Sequence, residues 1–376
     1  PLAIKAAFGG GGRGMKVARV LSEVGVLFDS AVREATEAFG RGECYAEQFL
    51  ERPRHIEAQV LADTHGNTVV LGTRDCSLQR RNQKLVEEAP APFISEVQRN
   101  AIHSAARDIC SRAGYVGAGT VEFLLSRDGT ISFLEVNTRL QVEHTVTEVT
   151  TGIDIVIEQL RIADGLPLSI TDTPAARGHA FEFRINAEDP GRGFLPTPGR
   201  IDKFRAPSGP GVRLDAGVES GSFVPGFYDS MLAKLIVFGE TRREAVQRAR
   251  RALAEFQITG VASVLPFHRA VMDEPCFNGE AEFGVYTNWI ETEFKGVTPA
   301  DRVEPAECNL LRCVIEIDGK RHRLGLPAEL FSQRSAPASN AEVLQCRDSG
   351  SVGAPIPGTL QQWLVEDGAE VQEGDG

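Results

Sequence analysis

No stretch of the chain approaches the roughly 18–20 consecutive apolar residues that a membrane helix requires, so the sequence reads as soluble, with no membrane partner. Basic residues are in deficit. Forty Lys and Arg against 52 Asp and Glu leave a formal net charge of -12, which argues against a nucleic-acid partner and leaves room only for local anion pockets. The seven cysteines are odd in number and form no CxxC pair. That pattern describes neither a disulfide framework nor a zinc site, and it suits reduced thiols in a cytoplasmic protein. There is no charged n-region followed by an apolar stretch and a small-residue cleavage site, and no internal repeat or low-complexity tract. What is present is an ordinary globular balance, 42% apolar and 24% charged over 376 residues, enough for two or three domains. The chain opens on Pro1 without an initiator Met and stops at Glu373-Gly374-Asp375-Gly376, inside a hairpin-like turn. Both features predict a piece of a longer protein.

Hydropathy and turn residues divide the chain. Residues 1 to about 50 read as a strand, a Gly loop, two helices and a returning strand, the second helix running from Asp29 to Phe39. From Arg54 the pattern alternates, with Ile56, Ala58 and Val60 on one face and His55, Glu57 and Gln59 on the other. His65-Gly66-Asn67 then turns into a strand over Thr68 to Leu71. Ser95 with Gln98 three residues on is a capping box for a helix that ends at Gly114. A second hairpin follows, then a helix from Ile153 to Asp164 stopped by Gly165. Thr241 and Glu244 cap a helix reaching Phe256. Arg312 to Leu324 reads as a hairpin turning at Asp318-Gly319, and a strand-rich unit starts near Ser351.

Four clusters are candidates to carry chemistry. The loop Gly9-Gly10-Gly11-Gly12-Arg13-Gly14 lets backbone amides approach an oxyanion, and Lys5 lies on the strand before it. It is neither a Walker A loop nor a dinucleotide fingerprint, and suits a mobile flap over phosphates. In the second cluster, Thr120 to Leu125 and Ile131 to Asn137 are strands joined by Arg127-Asp128-Gly129-Thr130. That loop places Glu122 directly opposite Glu135, with Asn137 on the same face. Two carboxylates about 5 Å apart repel by roughly 3 kcal/mol at an effective dielectric of 20. A divalent ion between them removes that cost, and two carboxylates with an amide oxygen suit Mg2+ or Mn2+. The alternative is a solvated polar face. The third cluster, Asn137 to His144, is dense in anion-binding groups. Arg139 can hold an oxyanion bidentately, and Glu143 can act as a general base if its pKa is raised. His144 reads as structural. Arg74, Gln79, Arg80, Arg81 and Lys84 form an anion-binding stretch by type, with Arg80 and Arg81 better read as a solvated edge and Cys76 as a buried, inert thiol.

With these residues assembled, residues 1 to about 290 resemble the biotin carboxylase component of biotin-dependent carboxylases, an ATP-grasp family. The resemblance rests on Ile4-Lys5-Ala6, Gly9 to Met15, Arg54-His55-Ile56-Glu57, Arg74-Asp75-Cys76-Ser77, Gln79-Arg80-Arg81, Gln83-Lys84, Glu87-Glu88-Ala89-Pro90, Glu135 to His144 and Arg184-Ile185-Asn186-Ala187-Glu188. It implies an α+β fold: an ATP-grasp lid over 1–50, a core with the metal and bicarbonate site over 51–176, and a biotin carboxylase C-terminal domain over 177–292. A linker over 293–350 then leads to the start of an all-β biotinyl/lipoyl-like carrier domain over 351–376. By the same resemblance, Lys5, Gly9, Gly10, Gly11, Gly12 and Gly14 bind ATP phosphates, Glu47 to Leu50 contact adenine, and His55, Gln79 and Asn82 make further nucleotide contacts. Glu122, Glu135 and Asn137 are the implied metal ligands, and Lys84, Arg139, Gln141 and Val142 the implied bicarbonate site. Glu143 is the implied base that deprotonates bicarbonate for attack on the γ-phosphate, and Arg139 and Arg184 lie near biotin.

The implied activity is ATP- and Mg-dependent carboxylation of biotin through carboxyphosphate, the first half-reaction of an acetyl- or propionyl-CoA carboxylase. Implied partners are a biotinyl carrier domain on the full-length chain, a separate carboxyltransferase β-subunit and a second copy of the chain. The biotin-bearing Lys and the family's N-terminal domain fall outside this sequence, so the piece alone is expected to turn over little. Three departures stand out: Asn82 where many members carry His, Thr73 where many carry Glu, and Thr145 where the motif usually continues with Pro. The competing readings are another ATP-grasp carboxylate ligase and a non-catalytic carrier or scaffold subunit.

Overall fold

The computed structural model describes residues 1–9, 14–279, 283–295, 310–317 and 320–327. The first unit is a small sheet in which β1 (Leu2–Ala6) pairs antiparallel with β2 (Lys16–Ala18) and β3 (Cys44–Gln48). One helix, α1 (Val24–Phe39), covers it and buries Ala31 and Ala35. Where the sequence predicts two helices, the first is only a 3-10 turn over Leu21–Glu23. The Glu23 carboxylate accepts from the Arg19 and Val20 amides and closes that turn.

The rest is built on one eight-stranded antiparallel sheet. Its neighbouring strands, in order, are Val212–Ala216, Met231–Gly239, β9 (His179–Asn186), β6 (Gln83–Ala89), β5 (Thr68–Arg80), β4 (Arg54–Ala62), β7 (Gly117–Leu125) and β8 (Ile131–Asn137). The alternation predicted for β4 is present, but both its faces are buried. Ile56, Ala58 and Val60 pack under α2 (Glu96–Arg112), whose Ile102, Ala106 and Cys110 join the same core. His55, Glu57 and Gln59 are buried on the opposite, polar side. Strand β5 runs far past the expected Leu71, bending at register shifts opposite Gln59 and between Asp75 and Leu78.

The capping box is reciprocal. The Gln98 amide donates to Ser95 Oγ at 3.2 Å, and the Ser95 amide donates to Gln98 Oε1 at 2.8 Å. A simpler cap opens α5 (Arg242–Glu255), where the Glu244 amide donates to the Thr241 hydroxyl. The predicted helix over 153–164 is α4 (Ile155–Ala163), capped by Asp154. A further short helix, α3 (His144–Thr151), was not legible from its four threonines, residues with modest helix propensity.

Between β7 and β8 the structure reaches the predicted pairing by another route. The loop is one residue longer, Ser126 to Thr130, with Gly129 at φ +89°, and Leu125 faces Ile131. A register shift between Glu122 and Phe123 then restores Glu122 opposite Glu135.

The segment expected to open a separate unit at residue 177 begins with β9, which pairs with β6 in this same sheet. Phe181, Phe183 and Ile185 on β9 enter a core with Ala249, Leu253 and Phe256 around α5. Glu182 and Arg184 therefore face the other side. The strands Leu310–Ile317 and Lys320–Pro327 pair with Ile317 opposite Lys320, as the expected hairpin requires. The carrier-like start at 351–376 lies outside the described residues.

Candidate active site

On the side of the sheet away from α2, a cleft of about 1240 Å³ lies between the small sheet and the large one. It is lined by Lys5, Gly9, Glu47, Leu50, His55, Gln79, Asn82, Lys84, Glu122, Glu135, Asn137, Arg139, Gln141, Val142, Glu143 and Arg184. Every described residue assigned to the site from sequence is therefore present except Gly14, whose amide donates instead to Glu34 Oε1. Gly10, Gly11 and Gly12 lie outside the described residues. Tyr286, Asn288 and Glu291 also line the cleft, and no local motif marks them.

Lys84, only 8% exposed, is the hub. Its ammonium donates to Glu57 Oε2 at 2.6 Å, Glu122 Oε1 at 3.0 Å and Glu143 Oε1 at 2.5 Å. β6 supplies Lys84, β4 supplies Glu57, β7 supplies Glu122, and the turn before α3 supplies Glu143. On the far side of the base, Arg184 Nη2 donates to Glu143 Oε2 at 2.9 Å. Behind Glu57 stands Arg74, fully buried, bonded to Glu57 Oε1, Gln59 Oε1 and Gln141 Oε1. Arg74 is thus an internal anchor rather than part of an anion-binding stretch, a correction the inward face of β5 explains. Glu57 is the main residue sequence reasoning passed over; its signal was its place between His55 and Gln59 on the polar face of β4.

Burial alone would raise the Glu57 carboxyl, but Arg74 and Lys84 outweigh it and hold it at about 2. Burial acts the same way on Glu143, and Lys84, Arg184 and Arg74 again prevail, so this carboxyl lies below the usual range. This reverses the condition set from sequence, which tied the base role to a raised value. Burial opposes a charge on Lys84 too, yet Glu57 and the neighbouring carboxylates keep it well above the ordinary lysine value. Cys76 is buried, and its thiol is pushed well up, as an inert thiol should be. His144 Nδ1 bonds the Gln141 carbonyl, a structural role.

The metal argument needs correcting in one respect. Glu122 is not left to repel Glu135. It accepts from Lys84 and from Gln141 Nε2 at 2.8 Å, and His55 Nε2 lies 3.1 Å from its other oxygen. The countercharge that sequence reasoning gave to a divalent ion is partly supplied by Lys84. Glu135 is half-buried, and its Oε1 accepts from Asn137 Nδ2 at 3.3 Å. Arg139, exposed in the cleft, donates to Asn137 Oδ1 at 3.2 Å. Two carboxylates and an amide oxygen on facing strand positions are hard donors that fit Mg2+ or Mn2+. Lys5 is paired with Glu47 across the small sheet. His55 Nδ1 lies 3.2 Å from Gln79 Nε2, and Asn82 sits at φ +65° in the turn between β5 and β6.

Comparison with known proteins locates this architecture. Residues 1–171 match the carbamoyl-phosphate synthase L chain, ATP binding domain, and residues 182–292 match the biotin carboxylase C-terminal domain. The chain is 55% identical over 395 residues to a biotin-dependent acyl-coenzyme A carboxylase alpha3 subunit of Mycobacterium leprae (strain TN), covering 100% of this chain and 66% of that protein. A biotin carboxylase from Campylobacter jejuni, solved as a β-γ-ATP complex, superposes with a TM-score of 0.74 at 42% identity, over 77% of this chain and 64% of that one. The biotin carboxylase domain of the Hydrogenobacter thermophilus 2-oxoglutarate carboxylase, solved with MgADP, ADP and bicarbonate, gives the same score, identity and coverage. The chain spans slightly less than two thirds of the length of these relatives.

Together, fold and matches define an ATP-grasp unit followed by a biotin carboxylase C-terminal domain. The chain belongs to the biotin carboxylase family.

Proposed function

We propose that this chain forms most of the ATP-dependent, biotin-carboxylating part of a biotin-dependent acyl-CoA carboxylase. The observation that carries the reading is the meeting of Glu143 with Lys84 and Arg184 in one cleft. A carboxylate base is held beside two cations able to take an anionic substrate. Within the cleft both cations are engaged by Glu143 and its neighbours. Bicarbonate and the phosphates of ATP, arriving at Lys84, Arg139 and Arg184, share those cations and so free the base to take the bicarbonate proton. Bicarbonate oxygen then attacks the γ-phosphorus, ADP leaves, and carboxyphosphate forms. Its breakdown gives CO2 and phosphate, and Arg139 and Arg184 keep the developing anions in place.

Glu122, Glu135 and Asn137 would hold Mg2+ or Mn2+, which neutralises phosphate charge when bound. Biotin on a carrier lysine, which is outside this chain, is the CO2 acceptor. The Gly9–Gly14 loop and Lys5 suit the phosphates, and His55, Gln79, Asn82 and the Glu47–Leu50 segment suit the rest of the nucleotide. The alpha-subunit relative supports a carrier domain on the full-length protein and a separate carboxyltransferase subunit that sets acyl selectivity, and we infer self-association of the chain. A reducing, cytoplasmic setting suits Cys44, Cys76, Cys110 and Cys276, all free thiols.

The test is phosphate release from Mg-ATP by the full-length protein, with bicarbonate and free biotin each added or withheld. Release is expected to need both, and Glu143→Gln to lower it by about 100-fold or more. Release indifferent to biotin would point to another carboxylate ligase, and silence under all conditions to a scaffold.

A further inference from the structure

Behind the base lies a second group of acids that the reaction above does not use. Glu87 on β6 and Glu182 on β9 are direct cross-strand partners, and both side chains are fully buried. Glu87 Oε1 accepts from Arg184 Nε at 2.6 Å, the same guanidinium that holds Glu143. Glu182 Oε2 accepts from the hydroxyl of Thr145, two residues past the base. The remaining oxygens, Glu87 Oε2 and Glu182 Oε1, are buried and find no hydrogen-bond donor among the described residues.

The local donors explain the gap. Arg184 is the one guanidinium bonded to the pair, its Nη2 is already given to Glu143, and Glu182 is left with the Thr145 hydroxyl. Lys234, on the strand beside β9, is opposite Arg184 and donates to the Val142 carbonyl. Of the other titratable groups, His55 lies against Glu122 and Asp215 lies 3.9 Å from the Lys234 ammonium. Cys76 is held as a thiol, His268 is kept neutral by burial, and Glu88 forms a separate cluster with His179 and Arg242 on the opposite face of the sheet.

We propose that Glu87 and Glu182 share one proton as a single carboxyl–carboxylate pair, and that this pair is the positioning element holding Arg184 against Glu143, tied through Thr145 to the turn that carries the base. The inference rests on the function proposed above. Burial pushes the Glu87 carboxyl up to about 7, and burial together with the Glu87 charge pushes Glu182 up to about 8, values that belong to the pair rather than to either residue. While the proton is present, the pair carries one charge and Arg184 is shared between Glu87 and Glu143. When it leaves, two charges draw Arg184 toward the pair and away from the base and its anionic substrate. Thr145 stands where the family pattern has Pro, which carries no hydroxyl. Its donor favours the ionised pair, so this chain should lose the shared proton at lower pH than a proline-bearing one.

Two readouts test this on the full-length protein. The first is kcat/KM for bicarbonate across the neutral-to-alkaline range. The fall at high pH should move up by about one pH unit or more in Glu182→Gln, and by less in Thr145→Val, which keeps the shape and removes the donor. The second is infrared difference spectroscopy, which needs no turnover: a buried protonated-carboxyl band should vanish as pH rises and be absent from Glu182→Gln. Glu87→Gln serves if Glu182→Gln does not fold. A uniform loss of kcat/KM at every pH, or a carboxyl band untouched by these substitutions, would overturn the proposal. If the protein proves not to carboxylate biotin, the band alone still decides whether the pair exists.

Discussion

Replacing Lys84 with Met keeps the length of the side chain and removes its charge, so it isolates what this ammonium does for the three carboxylates around it. At about 3 Å and an effective dielectric of 20, each contact is worth roughly 5 kcal/mol of Coulomb energy before the cost of burying the lysine is subtracted. The net loss on stranding a buried charge cluster is about 3–5 kcal/mol, which for a chain of this size is a fall in Tm of roughly 4–6 °C. The loss should depend on pH. Glu57, Glu122 and Glu143 are held below their unfolded values, so they add stability above about pH 4.3 that fades as pH falls through the folded values. Lys84, raised in the fold, adds stability throughout that range and loses it only at strongly alkaline pH. In Lys84→Met the three carboxyls rise, take up protons on mild acidification and stop repelling one another. Calorimetric unfolding at pH 7 and pH 4 should therefore show the gap from the parent protein narrowing at the lower pH. A gap below about 1 kcal/mol at pH 7, or one that is the same at both values, would refute the role given to Lys84.

Ser95→Ala should cost about 1 kcal/mol through loss of the capping box of α2, seen as a lower urea midpoint at unchanged m; an unshifted midpoint would show that the cap contributes nothing. Glu135→Gln should raise the Mg2+ concentration for half-maximal phosphate release by roughly tenfold or more, and an unchanged requirement would remove Glu135 from the metal set.

What the sequence shows well is local. The Ser95–Gln98 box, the Thr241 cap and the alternation in β4 depend on residues within a few positions of one another, and each is present. The pairing of Glu122 with Glu135 was legible too, although a longer loop and a compensating bulge lie between prediction and structure. What was hidden is set by sheet order. Arg184 reaches Glu87 across 97 positions and Glu143 across 41 because β9 enters beside β6, and no periodicity announces which strand becomes a neighbour. The same blindness made Arg74 look like part of an anion-binding stretch and the Glu122–Glu135 pair look in need of an ion. Lys84 reaches Glu122 across 38 positions from the other hairpin. Thr145 could be noticed as unusual, but its partner Glu182 was unreadable until the strands were in place.

The pairing of β6 with β9 also bears on how such proteins can be inherited and recombined. The two matched regions, 1–171 and 182–292, invite treatment as exchangeable modules. Yet the join between them is crossed by Arg184 with Glu87 and Glu143, by Thr145 with Glu182, by Lys234 with the Val142 carbonyl, and by His179 and Arg242 with Glu88. A crossover at that join leaves each parent's charges facing the other parent's strand. The regions are thus bound to change in step, and a viable hybrid must carry both sides of the seam from one ancestor.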